Sequence, residues 1–125
     1  MKQLIAIFSI VLLAGCYNDK ADKLYPSPTT STPCDTTNIT YSKDVKPILL
    51  ASCATSACHD AATASNSYDF SVYAGAMAGA LGGRLLATIK QAPGEVYPMP
   101  KGLPKLDSCS INKITRWVNL GAQNN

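Results

Sequence analysis

Cys53-Ala54-Thr55-Ser56-Ala57-Cys58-His59 is the stretch on which the reading of this chain turns. Two cysteines stand before His59, the single histidine among 125 residues. A Cys-x-x-Cys-His run is the attachment signature for c-type haem: two thiols add to the haem vinyl groups and the histidine ligates the iron. Here four residues rather than two separate the cysteines, so the extra residues must bulge outward if both sulfurs are to reach the vinyl groups. Two other chemistries compete for these side chains. A Cys53–Cys58 disulfide beside a surface histidine would be structural only. A zinc site normally closes with four protein ligands, and the other thiols lie far away in sequence.

Upstream, Lys2 and the apolar run Leu4 to Leu13 have the form of a secretory signal, and the run is too short to span a bilayer. It ends in Leu13-Ala14-Gly15-Cys16, which resembles a bacterial lipobox. That resemblance implies a signal peptide over residues 1–15, cleavage before Cys16 and a lipid on its sulfur; the alternative is an ordinary cleaved signal with Cys16 a bystander. A lipidated chain would be anchored to a bacterial membrane by acyl chains, without a transmembrane helix. It would work outside the cytoplasm, facing the periplasm or the cell surface, where disulfides persist and where bacteria attach c-type haem. Residues 16–38 read as a flexible tether, because Tyr25-Pro26-Ser27-Pro28-Thr29-Thr30-Ser31-Thr32-Pro33 has almost nothing apolar to bury. The folded domain is expected over residues 39–125, starting near Cys34 or Ile39. The formal charge of +3 includes Lys2, and neither a basic cluster nor aromatic-basic interleaving is present, so nucleic acid is not an expected partner.

Within the domain the apolar spacing is helical. Ser42 is the expected N-cap of a helix over residues 43–52, with Asp44 and Pro47 early and with Val45, Ile48, Leu49 and Cys53 on one face. Residues 54–66 are small and polar and read as a loop. Asp69 or Ser71 is expected to cap a second helix through Val72, Tyr73, Met77 and Ala80. Gly82-Gly83 marks a junction before a short helix from Arg84 to Gln91, buried through Leu85, Leu86 and Ile89. Pro93-Gly94 and Pro98-Met99-Pro100 preclude regular structure over residues 91–104. Asp107 is the expected N-cap of a last helix with Ile111, Ile114, Trp117 and Val118 inward and Gly121 as its left-handed terminus. The fold class is therefore all-α, three to four short helices with long loops. About 90 residues of such helices make a thin core, which an internal cofactor would help to fill.

His59 is the only histidine, so the sixth position on a haem iron would hold methionine, another residue type, water or nothing. Met77 sits at helical spacing with Tyr73 and reads as core. Met99 lies between two prolines on a stiff loop and is the candidate axial ligand. Of the five cysteines, Cys34 and Cys109 are left over. An oxidising compartment would let them pair, closing a loop of about 75 residues for about 4 kcal/mol in the chain-entropy model; two free thiols are the alternative.

Tyr41-Ser42-Lys43-Asp44-Val45-Lys46-Pro47-Ile48-Leu49, followed by the haem motif, resembles the opening of the small bacterial monohaem cytochromes c. Tyr97-Pro98-Met99-Pro100, Leu106, Ile111 to Ile114, Trp117-Val118 and Gly121-Ala122 resemble the end of the same family. The resemblance covers Cys34 to Asn125 in the same order, and the Cys34 and Cys109 pair resembles a variant among its lipoprotein members. It implies a cytochrome c-like fold around one covalently attached haem c. First and last helices would cross, Trp117 would pack near the haem, Cys53 and Cys58 would attach it, and His59 and Met99 would ligate the iron. The expected function is one-electron transfer by a monomeric, membrane-anchored carrier that meets redox partner proteins and is not an enzyme. A six-coordinate iron offers no open site to a substrate. The rival readings are a haem sensor or peroxidase-like protein with an open sixth position, and a haem-free lipoprotein stapled by disulfides.

Overall fold

The computed structural model describes residues 33–125. The expected signal peptide over residues 1–15, the lipidation site Cys16 and the expected tether as far as residue 32 lie outside the described residues. Among the described residues there are four α-helices and no strand: α1 (Lys46–Ser52), α2 (Tyr73–Leu81), α3 (Arg84–Lys90) and α4 (Ser108–Asn119). The chain is all-α over this span. None of these helices is long and apolar enough to cross a membrane.

A π-helical turn, Tyr41–Val45, leads into α1. Its start differs from expectation. Thr40, not Ser42, is the N-cap, and its hydroxyl accepts from the Lys43 N–H at 3.3 Å. Asp44 reaches back and accepts from the Thr40 N–H at 3.0 Å. This reciprocal pair has the logic of a capping box with one extra residue between the partners, which matches the wider π turn. Pro47 falls in the first turn of α1, where a missing N–H costs nothing. The expected apolar face is present: Val45 and Leu49 are fully buried, and Cys53 ends the helix at 9% exposure.

The second helix is not capped by Asp69 or Ser71. Val72 occupies the N-cap position without a side-chain bond, because Asp69 and Ser71 satisfy each other in a local turn, with the Ser71 N–H donating to Asp69 Oδ1 at 2.9 Å. α2 buries a face of small residues, Ala76, Gly79 and Ala80. The segment Asp69–Phe70 lies directly on that face: a β-carbon on Gly75 would overlap the Asp69 carbonyl, and one on Gly79 would press the Phe70 ring at 3.1 Å. Only glycine permits so close an approach of backbone to helix.

α4 starts at Asp107, whose carboxylate accepts from the Ser110 N–H at 2.9 Å. Its inner face packs against the π turn. Tyr41 and Trp117 rings lie 5.5 Å apart, and Tyr73 meets Tyr41 edge-on at 5.1 Å. The Lys113 ammonium lies 3.1 Å from Asp44 Oδ1, tying the last helix to the first turn. The chain after α4 is bound rather than loose. Tyr73 Oη donates to the Ala122 carbonyl at 2.8 Å, and Asn125 accepts from the Tyr41 and Ser42 N–H groups at 2.8 and 2.9 Å.

Residues Cys34–Asn125 form one compact unit. Cys34 and Cys109 are joined by a disulfide with a sequence separation of 75. That bond fastens the start of the unit to the first turn of α4.

Candidate functional site

α1 delivers Cys53 at its C-cap, and the chain then leaves the helix axis. The Cys58 N–H donates to the Thr55 carbonyl at 3.0 Å, and the His59 N–H returns to the Cys53 carbonyl at 3.1 Å. Between those anchors Thr55, Ser56 and Ala57 are exposed, and Ala57 takes a left-handed conformation with φ 65°. The four-residue spacer is therefore looped outward, with its ends closed by a single hydrogen bond between the first cysteine and the histidine. The His59 carbonyl accepts from the Phe70 N–H at 2.8 Å, so both main-chain groups of His59 are held.

The imidazole is held as well. His59 Nδ1 lies 3.1 Å from the Tyr68 carbonyl oxygen. A carbonyl can only accept, so Nδ1 carries a hydrogen, and in the neutral imidazole Nε2 is then the nitrogen with the lone pair. Such a bond to the remote ring nitrogen is how metal-binding histidines are oriented. The Phe70 ring lies against the imidazole with centroids 4.7 Å apart, and Tyr68 stacks on Phe70 at 5.8 Å.

Cys53 and Cys58 are both free thiols. Burial, with a smaller contribution from the neighbouring Cys58, pushes the Cys53 thiol up to about 11. Cys58 is exposed. Among the described residues no three His, Cys, Asp or Glu side chains converge as a metal cage, whereas a structural zinc site normally closes with four.

Met99 sits on the irregular segment between α3 and α4 and is half-buried. Its N–H donates to the Thr88 carbonyl at 3.0 Å, and its carbonyl accepts from Gln91 Nε2 at 3.0 Å. Glu95 steadies the same segment. It accepts from the Tyr97 N–H at 2.9 Å and faces Arg84 at 3.4 Å, while the Arg84 guanidinium lies 5.9 Å from the Tyr97 ring centre.

One cavity of about 770 Å³ unites these groups. Cys53, Cys58, His59 and Met99 all line it. Phe70, Leu85 and Ile89 supply buried apolar wall, Gly79 lets α2 approach, and Arg84 and Lys101 bring positive charge. The four residues expected to hold a cofactor are thus brought together although they span 47 positions of sequence, from 53 to 99. Met77 does not line the cavity; its sulfur lies 3.3 Å from Tyr73 Oη. Trp117 does not line it either. Its ring packs on Tyr41, and its Nε1 donates to the Gln123 carbonyl at 2.8 Å, in the joint between α4 and the first turn.

Sequence reasoning did not single out Tyr68, Phe70 or Gln91. Tyr68 acts through its main chain, which no side-chain pattern marks. Phe70 alternates with polar residues in Tyr68-Asp69-Phe70-Ser71, a weak signal for a buried wall. Gln91 reads as a helix end. No protein-family model, curated protein or solved structure matches this chain.

Proposed function

We propose that this chain is a lipid-anchored monohaem c-type cytochrome that carries single electrons outside the cytoplasm. The observation that carries the reading is the convergence of two free thiols, a histidine with its Nε2 lone pair available and a methionine on one cavity. The donor set fits the group. Cys53 and Cys58 would attach the haem, His59 would ligate the iron through Nε2, and Met99 would supply the sixth ligand through its thioether. The cavity volume lies within the range of small-molecule and cofactor sites, about 300–1,000 Å³. Bound haem would supply a one-electron change between ferrous and ferric iron. The chain's own residues do the rest. Phe70, Leu85 and Ile89 exclude water, Arg84 and Lys101 offer charge to anionic groups of the ligand, and a thioether ligand favours the ferrous form and raises the potential.

The packing of α4 on the π turn that opens the first helix, through Asp44–Lys113 and Tyr41–Trp117, supports a cytochrome c-like fold. With His59 and Met99 both holding the iron, the protein would act as a carrier and not an enzyme, a monomer that meets donor and acceptor proteins through small transient contacts. Cys16 would bear the lipid that holds it to a bacterial membrane.

The test is an optical spectrum, oxidised and reduced, of protein made in a host with c-type haem maturation. A sharp reduced α band together with a weak long-wavelength sulfur-to-iron charge-transfer band is expected, with the second band lost in Met99→Ala. Haem that survives acid extraction only when Cys53 and Cys58 are present would assign the attachment. Haem without the charge-transfer band, and with avid carbon monoxide binding, would replace the carrier by a sensor or peroxidase-like protein. Folded protein that takes no haem would overturn the reading.

A further inference from the structure

The last carbonyls of an α-helix have no partner within the helix. In α3 two of them are taken by the segment that carries Met99. The Thr88 carbonyl accepts from the Met99 N–H at 3.0 Å, and the Lys90 carbonyl accepts from Lys105 Nζ at 2.6 Å. The Thr88 hydroxyl donates within α3, to the Arg84 and Leu85 carbonyls at 2.9 and 3.2 Å. α3 ends because Gln91 adopts φ 49° and ψ 48°. This left-handed residue reverses the chain, and its side-chain amide then donates to the Met99 carbonyl. Both main-chain polar groups of Met99 are thereby bonded to one helix end, and Gln91 is the side chain that completes the grip.

We infer that Gln91 is a positioning residue for Met99, holding the methionine segment on α3 so that Met99 stays in the cavity wall. The inference rests on the proposed role of Met99 as axial ligand. It assigns Gln91 no contact with the iron; Gln91 acts through the main chain of Met99.

The left-handed geometry separates this role from plain fold support. Glycine adopts positive φ without the cost of a β-carbon, so Gln91→Gly is expected to leave the urea midpoint at or above that of wild type while removing the amide. Gln91→Met removes the amide and keeps the bulk. Gln91→Lys restores an N–H donor at similar reach. One hydrogen bond of this kind corresponds to roughly a two- to tenfold change in an equilibrium. Reduced Gln91→Gly and Gln91→Met proteins should therefore bind carbon monoxide roughly two- to tenfold more tightly than wild type, because Met99 is more easily displaced, and their ferric charge-transfer bands should weaken. Gln91→Lys should fall near wild type in both. Gly and Met variants that match wild type in band and affinity would overturn the inference while leaving the cytochrome reading intact, as would a Lys variant as impaired as the Met variant. A wild-type band unaffected by Met99→Ala would overturn the inference and the ligand assignment together.

Discussion

His59 and Phe70 face each other with ring centroids 4.7 Å apart, and the same two residues are joined through the main chain by the Phe70 N–H and His59 carbonyl at 2.8 Å. The imidazole is thus fixed by three constraints: the Tyr68 carbonyl on Nδ1, the Phe70 ring on one side and a main chain bonded at both N–H and C=O. Phe70 is 6% exposed and also touches the small-residue face of α2 at Gly79. Truncation of a buried phenylalanine costs about 3–5 kcal/mol through lost transfer energy and the cavity left behind. Phe70→Ala is expected to lower stability by that amount in urea titrations of haem-free protein. A loss under about 1 kcal/mol would show that the wall around His59 is loose.

The two thiols of the candidate attachment site should be chemically unequal. Burial holds Cys53 near 11 against an ordinary value of 9.0, and the thiolate is the reacting form. At neutral pH Cys53 then carries roughly a hundredth of the thiolate of an ordinary cysteine, and its sulfur is enclosed besides. In protein made without haem, iodoacetamide is expected to label Cys58 more than tenfold faster than Cys53, read by peptide mass spectrometry at timed intervals. Equal rates would mean that the end of α1 opens readily and that Cys53 is not held inside the cavity wall.

How far the chain could be read in advance depended on the distance over which each feature is decided. α4 was legible because Asp107, the apolar positions Ile111, Ile114, Trp117 and Val118, and Gly121 all act within a turn or two of one another. The face of α1 was legible for the same reason. Its start was misplaced, since the Thr40–Asp44 exchange closes a π turn that the usual three-residue capping interval does not describe. Asp69 and Ser71 have the composition of caps but spend their side chains on each other. The candidate ligands were legible as residue types, Cys53, Cys58, His59 and Met99. Their meeting around one cofactor is expected only through the family resemblance, not from any local pattern, because it depends on how α3 turns at Gln91 and on how closely Asp69–Phe70 approaches Gly75 and Gly79. Neither contact leaves a local pattern.

The disulfide has a calculable effect. It closes a loop with a sequence separation of 75, and restricting the unfolded chain to that loop is worth about 4 kcal/mol in the chain-entropy model. The double variant Cys34→Ser with Cys109→Ser is expected to unfold at lower urea concentration, with a slope equal to or steeper than that of wild type, because the unfolded chain without the cross-link exposes more surface. Mild reduction of wild type should reproduce the shift. A double variant as stable as wild type would show that the first turn and α4 are held well enough by Asp44–Lys113 and Tyr41–Trp117 alone, and that the unfolded chain is already restricted there.

Acid should weaken the domain through two carboxylates at helix starts. The Thr40 N–H holds the Asp44 carboxyl below its ordinary value, with help from Lys113, and the Ser110 hydroxyl and N–H do the same for Asp107. Both groups therefore bind protons more readily in the unfolded chain than in the folded one. Their stabilisation is complete above the unfolded value, about pH 4, and is lost as the pH falls through the depressed folded values. Stability measured by urea should hold level from neutral pH to about pH 5 and then decline. Asp107→Ala removes an N-cap and is expected to cost about 1 kcal/mol at neutral pH. Asp44→Asn should flatten part of the acid decline, because an amide does not titrate and the Lys113 contact loses its charge. The difference between wild type and either variant should shrink steadily as the pH falls below 4. A gap that stays constant through that range would mean that the two carboxyls act by shape rather than by charge, and would assign the acid sensitivity to other groups.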